Sequence, residues 1–99
     1  DGIVPGIGSL ATRFVKRLYT AARAGEREQA LALQLELNQL FGGIYGPNVS
    51  DWLSGHKEAL AYLGIVDNPA TVYYQPLSEE KRARVHFAVE RWRSYLLEV

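Results

Sequence analysis

The 99-residue sequence contains no cysteine and no methionine, and its formal net charge is zero. Without cysteine there can be no disulfide framework, no thiolate metal site and no cysteine nucleophile. With eleven basic residues against eleven acidic ones, the chain lacks the basic excess of a dedicated nucleic-acid binder. No apolar run approaches the roughly 20 residues that a membrane helix needs. The opening residues are neither basic nor a sustained apolar block, so the expectation is a cytoplasmic protein with no secretory leader. The missing methionine adds a further expectation. Asp1-Gly2 leads straight into the apolar Ile3-Val4, as though the chain were entered partway through an element, and it reads as a fragment of something longer.

What is present is enough for a core. Hydrophobic residues make up 47% and charged residues 22%, the balance of one small globular domain. The charge is unevenly spread. Arg13, Lys16, Arg17 and Arg23 against Asp1 leave residues 1–25 at +3. Glu26, Glu28, Glu36, Asp51, Glu58 and Asp67 against Arg27 and Lys57 put residues 26–75 at −4. The remainder is close to balance. A basic first helix beside an acidic middle suggests complementarity within the molecule, with exposed pairs worth only about 0–1 kcal/mol each.

Ile3 to Ser9 is short, apolar and rich in glycine and proline, which predicts a buried strand ending at Pro5 and running into a tight loop. Leu10, Phe14, Val15, Leu18, Tyr19 and Ala22 then follow helical spacing up to Gly25, with Ser9 or Thr12 as caps. The next segment is ambiguous by pattern. Leu31, Leu33, Leu35 and Leu37 alternate as a strand would, yet Ala30, Leu33, Leu37, Leu40, Phe41 and Ile44 fall at helical spacing. Alanine, leucine, glutamine and glutamate are helix formers, and from Glu26 onward no β-branched residue occurs before Ile44. Helix is predicted. Leu31 and Leu35 are thereby placed on a second face that needs its own cover, which makes them interface candidates.

Gly42, Gly43, Gly46 and Pro47 are expected to break that helix, and Ser50 to cap a third, running through Trp52, His56 and Leu60 to Gly64. Ile65 to Pro76 reads as extended. Ser78, followed by Glu79 and Glu80, predicts the start of a last helix with Val85, Ala88, Val89, Trp92 and Leu96 as its apolar stripe.

Few residues suggest chemistry. Gly6-Ile7-Gly8 before a helix lacks both the dinucleotide fingerprint and the P-loop pattern, so a turn needing permissive backbone is preferred. His56 and His86 lie on different helices without metal-ligand spacing, and no metal site is expected. A Ser9, His56 and Asp51 assembly has no support in the spacing. Lys57 reads as a structural lysine whose stem packs. In the last helix Arg82, Arg84, Arg91 and Arg93 alternate with aromatics, but Glu79, Glu80, Glu90 and Glu98 cancel the field, which favours a solvated face over a nucleic-acid surface.

The order of these segments resembles the C-terminal part of the dihydrodipicolinate synthase/N-acetylneuraminate lyase family. Asp1-Gly2-Ile3-Val4-Pro5-Gly6-Ile7-Gly8-Ser9-Leu10 is similar to the family's eighth strand and its turn. Tyr19 to Gly25 resembles the last barrel helix. Ala30, Leu33, Gln34, Leu37, Asn38 and Leu40 resemble the helix after it. Ser54 to Ile65 looks like the helix with a central lysine before a Leu-Gly turn. Gln75-Pro76-Leu77-Ser78 resembles the lead-in to the final helix. The resemblance runs in order from end to end.

It implies a mainly α chain: the last strand and last helix of a (β/α)8 TIM barrel in residues 1–25, then a three-helix C-terminal domain in residues 26–99, four helices in all. It further implies a homo-oligomeric, pyruvate-dependent Schiff-base aldolase or lyase whose reactive lysine lies on the sixth strand, outside these residues. Lys57 would match the family's helical lysine and stay structural. This chain would hold no catalytic residue, metal or cofactor of its own. Val4 and Gly6 would touch a pyruvate-like 2-keto acid, and the partners would be the rest of the barrel and sister subunits, with no nucleic acid or membrane. A free-standing helical interaction module, burying Leu31 and Leu35 against a partner, is the alternative.

Overall fold

The computed structural model describes residues 6–70 and 76–96. Among these it shows four α-helices and no strand: α1 (Thr12–Arg23), α2 (Arg27–Tyr45), α3 (Trp52–Tyr62) and α4 (Glu79–Arg91). The chain is mainly α, as the sequence predicts. None of the described helices is long and apolar enough to cross a membrane. Ile3, Val4 and Pro5, the expected strand, lie outside the described residues. Gly6–Ser9, expected as the loop behind that strand, forms a single 3-10 turn.

The alternating leucines are helical. On α2, Leu33, Leu37, Leu40 and Ile44 are buried, while Leu31 and Leu35 remain 60% and 58% exposed. Because α2 packs against α1, α3 and α4, it is the central column of the bundle, and the face bearing these two leucines is exposed. Phe14 from α1 and Val85, Val89 and Leu96 from the last segment complete the fully buried centre. The stripe predicted for the final helix is buried throughout.

Helix ends follow the sequence in part. Gly25 and Gly64 take left-handed φ of 75° and 81° after α1 and α3, the conformation that stops a helix at least cost to glycine. The Ser78 hydroxyl accepts the Lys81 N–H at 3.2 Å, the expected cap of α4. Three expectations need correction. α1 begins at Thr12 with Ala11 in the capping position, and the Ser9 and Thr12 hydroxyls donate instead to the carbonyls of Gly6 and Gly8. Asp51, not Ser50, occupies the cap position of α3 and gives no side-chain cap.

The third concerns α2, which does not stop at Gly42 or Gly43. It runs to Tyr45 and ends at Gly46, where φ is 77°. Tertiary packing overrides the low helix propensity of the two glycines. At Gly43 a β-carbon would come within 2.8 Å of the Ala88 Cβ, so α4 approaches the backbone of α2 where no side chain stands. The Arg84 Nε donates to the Gly43 carbonyl at 2.8 Å, satisfying an end carbonyl that has no backbone donor, because the residue four positions on is Pro47.

Asp51 and Glu58 of the acidic middle find counter-charges on α4. Asp51 pairs with Lys81 at 3.1 Å and Arg84 at 3.3 Å, and Glu58 with His86 at 2.7 Å and Arg82 at 3.6 Å. Arg13 and Arg17 of α1 turn towards the end of the chain, to the Ser94 carbonyl and the Tyr95 ring.

Candidate functional site

Three elements meet beside the Gly6–Ser9 turn and leave a cavity of about 470 Å3. The turn contributes Gly6, Ile7 and Ser9, and α2 contributes Phe41 and Tyr45 from its last two turns. Val49, Trp52, Leu53 and His56 close the other side, from the α2–α3 connection and the first turns of α3. The helical period explains the alignment. Phe41 and Tyr45 are four apart, as are Trp52 and His56, so each pair shows one face. The Phe41 and Tyr45 rings meet edge to face at 4.5 Å, which holds the phenol in position.

The polar corner is a chain of three side chains. Tyr45 Oη lies 2.6 Å from His56 Nδ1, and His56 Nε2 lies 3.0 Å from Ser9 Oγ. Burial pushes the Tyr45 phenol up to about 12 and lowers the imidazole of His56 below its usual value. Both are therefore neutral at pH 7, and the ring carries one proton. One arrangement gives every proton an acceptor: Tyr45 donates to Nδ1, Nε2–H donates to Ser9 Oγ, and Ser9 donates to the Gly6 carbonyl at 3.2 Å. The opposite tautomer would leave the Tyr45 proton without an acceptor among the described residues. The favoured direction points the Ser9 proton away from the imidazole, which makes Ser9 a hydrogen-bond donor rather than an activated nucleophile.

Backbone strain sits at the rim. Asn48 and Val49 have φ of 53° and 52°. Asparagine tolerates this region, but a β-branched valine there is an outlier costing on the order of 1–3 kcal/mol.

A second polar cluster lies between α3 and α4. Glu58 is 7% exposed and accepts from His86 while Arg82 stands beside it. The His86 ring stacks on Tyr62 at 4.1 Å. Among the described residues no three His, Asp or Glu side chains converge as a metal site would require.

Of the residues singled out by sequence, Gly6 lines the cavity and Val4 falls outside the described residues. Lys57 is half-buried on α3. Leu31 and Leu35 form the uncovered face and take no part in the cavity. Ser9 and His56 do meet, whereas Asp51 is held by Lys81 and Arg84 of α4 and does not line the cavity. Sequence reasoning missed Tyr45 altogether: a tyrosine in an apolar helical stripe carries no sign that its hydroxyl will face a histidine eleven residues on.

Comparison with known proteins gives no match: no family model fits the chain, and no curated protein or solved structure matches it.

Proposed function

We propose that this chain supplies the C-terminal part of a pyruvate-dependent Schiff-base aldolase or lyase similar to dihydrodipicolinate synthase. Its contribution is structural and oligomeric, in the cytoplasm, with the reactive lysine on the rest of the barrel. The reading is carried by the ordered series of motifs from Asp1-Gly2-Ile3-Val4 to Gln75-Pro76-Leu77-Ser78. In its support, four helices occur in the expected order, with stops at Gly25 and Gly64 and a cap at Ser78.

A graft tests it. Residues 1–99, placed on a dihydrodipicolinate synthase barrel in exchange for that barrel's own C-terminal segment, should yield a folded oligomer. With pyruvate and borohydride the barrel lysine should be trapped, while the isolated chain should show no adduct by intact mass. A stoichiometric adduct on Lys57 of the isolated chain would overturn the reading. So would a graft that never folds beside a parent barrel that does.

The second reading is a free-standing helical interaction module, and the exposure of Leu31 and Leu35 favours it. Paired apolar side chains on one helix face are a common docking stripe. The graft separates the two, because a free-standing module has no reason to complete a barrel.

A further inference from the structure

We propose that the cavity beside the Gly6–Ser9 turn binds a neutral carbonyl compound with an aromatic or branched aliphatic body, held by a hydrogen bond from Ser9. The assignment stands on the cavity alone and does not depend on the aldolase reading.

Size comes first. A volume of about 470 Å3 falls in the range of small-ligand sites, which are largely apolar with a few convergent polar groups. Phe41, Trp52, Leu53 and Ile7 provide flat and aliphatic wall suited to a ring or branched chain.

Charge narrows the class. Among the described residues, no lysine, arginine, aspartate or glutamate lines the cavity. Its two titratable groups, Tyr45 and His56, are uncharged at pH 7. A carboxylate or phosphate would lose its hydration without gaining a cation, and an amine would find no anion. The occupant is therefore neutral.

The hydrogen-bond chain selects a carbonyl. Tyr45 donates to His56 and His56 donates to Ser9, so the chain ends in the Ser9 hydroxyl proton at the cavity wall. That proton rests on the Gly6 carbonyl at 3.2 Å, longer than the usual O–H···O bond. A ligand oxygen can take it by a small rotation of the hydroxyl. The two bonds behind it polarise Ser9 as a donor, and an acceptor-only oxygen fits best.

The rim agrees with this assignment. Val49 keeps a left-handed backbone while its side chain lines the cavity, the kind of strain that clusters at binding sites.

Titration of the 99-residue chain with acetophenone, ethylbenzene and benzoate tests the proposal. The readouts are the Trp52 indole N–H and the His56 ring protons by NMR. Acetophenone should shift both signals saturably, ethylbenzene should bind about three- to tenfold more weakly for want of one hydrogen bond, and benzoate should not bind. Ser9→Ala, at an exposed position, should bring acetophenone down to the hydrocarbon's affinity and leave ethylbenzene unchanged. Leu53→Trp, with its fold verified by circular dichroism, should abolish both. Equal affinity for ketone and hydrocarbon, indifference to Ser9→Ala, tighter binding of benzoate, or no saturable shift at Trp52 and His56 would each overturn it.

Discussion

The Tyr45 hydroxyl touches His56 Nδ1 at 2.6 Å, and the two rings lie 5.7 Å apart and 26° from parallel. The pair joins the end of α2 to the middle of α3 across the Gly46–Asp51 connection. Burial moves the two pKa values in opposite directions, the phenol's up and the imidazole's down, so their titrations disturb the fold from opposite ends of the pH scale.

At the acid end the group concerned is His56. Its folded pKa is depressed, whereas in the unfolded chain it titrates near the ordinary value of about 6.5. Its contribution to stability is therefore complete above about 6.5 and is lost as pH falls towards the folded value. The urea midpoint should be lower at pH 5.5 than at pH 7.5. In His56→Gln, which cannot titrate, that difference should shrink. An unchanged difference would show that another group is responsible.

At the alkaline end Tyr45 governs. Its folded pKa of about 12 stands above the unfolded value of about 10, so its contribution holds below 10 and is lost as pH rises towards 12. Of the six tyrosines, this one should ionise late when phenolate absorbance is followed in the folded protein. Tyr45→Phe should remove that late step. It should also cost about 1–3 kcal/mol at neutral pH, since His56 Nδ1 loses its partner in a buried setting.

Two glycines should respond in opposite ways to alanine. A β-carbon on Gly55 would collide with the Ile44 backbone carbonyl, and main chain cannot step aside as a side chain can. Gly55→Ala should therefore force α3 away from the end of α2, at about 1–3 kcal/mol or more. Gly42 has nothing within 4 Å of an added β-carbon and lies inside α2. Gly42→Ala should stabilise by up to about 1 kcal/mol through helix propensity. Denaturant melts of the two variants decide the matter, and equal effects would contradict the packing described.

Leu31 and Leu35 should mediate association. Sedimentation equilibrium at micromolar concentration should show self-association of the chain, abolished in Leu31→Glu/Leu35→Glu. Because both side chains are already solvent-exposed, the double variant should keep its stability within about 0.5 kcal/mol per site. A monomeric parent chain, equally soluble with or without these leucines, would remove them as an interface.

The helices were legible because they rest on local chemistry. The leucine run from Leu31 to Leu37 alternates, but its helix-forming neighbours decide its conformation, and Leu31 and Leu35 emerge exposed as the helical spacing requires. Ser78 announced its helix through its hydroxyl and the two glutamates behind it. What could not be read depends on neighbours distant in sequence. Gly42 and Gly43 look like a terminus until α4 is seen to need the space above Gly43. Asp51 looks like a first-turn acid until Lys81 and Arg84 are seen to hold it. The cavity is further from view still. Ser9, Tyr45 and His56 come from three segments, and only the packed bundle aligns their polar atoms.

The rings of Phe14 and Tyr95 lie 4.7 Å apart, Arg17 covers the same tyrosine, and Arg13 reaches the Ser94 carbonyl. These contacts join positions about eighty residues apart in the chain, while those that bind α2 to α1 and α3 are between sequence neighbours. Closing so long a loop before any other contact exists carries the largest entropic cost in the bundle. The seam between α1 and the Arg93–Tyr95 turn should thus assemble late, after the central helix has gathered its neighbours. In amide exchange it should also be an early seam to open, so that Phe14, though fully buried, should lose its protection before the centre of α2 does.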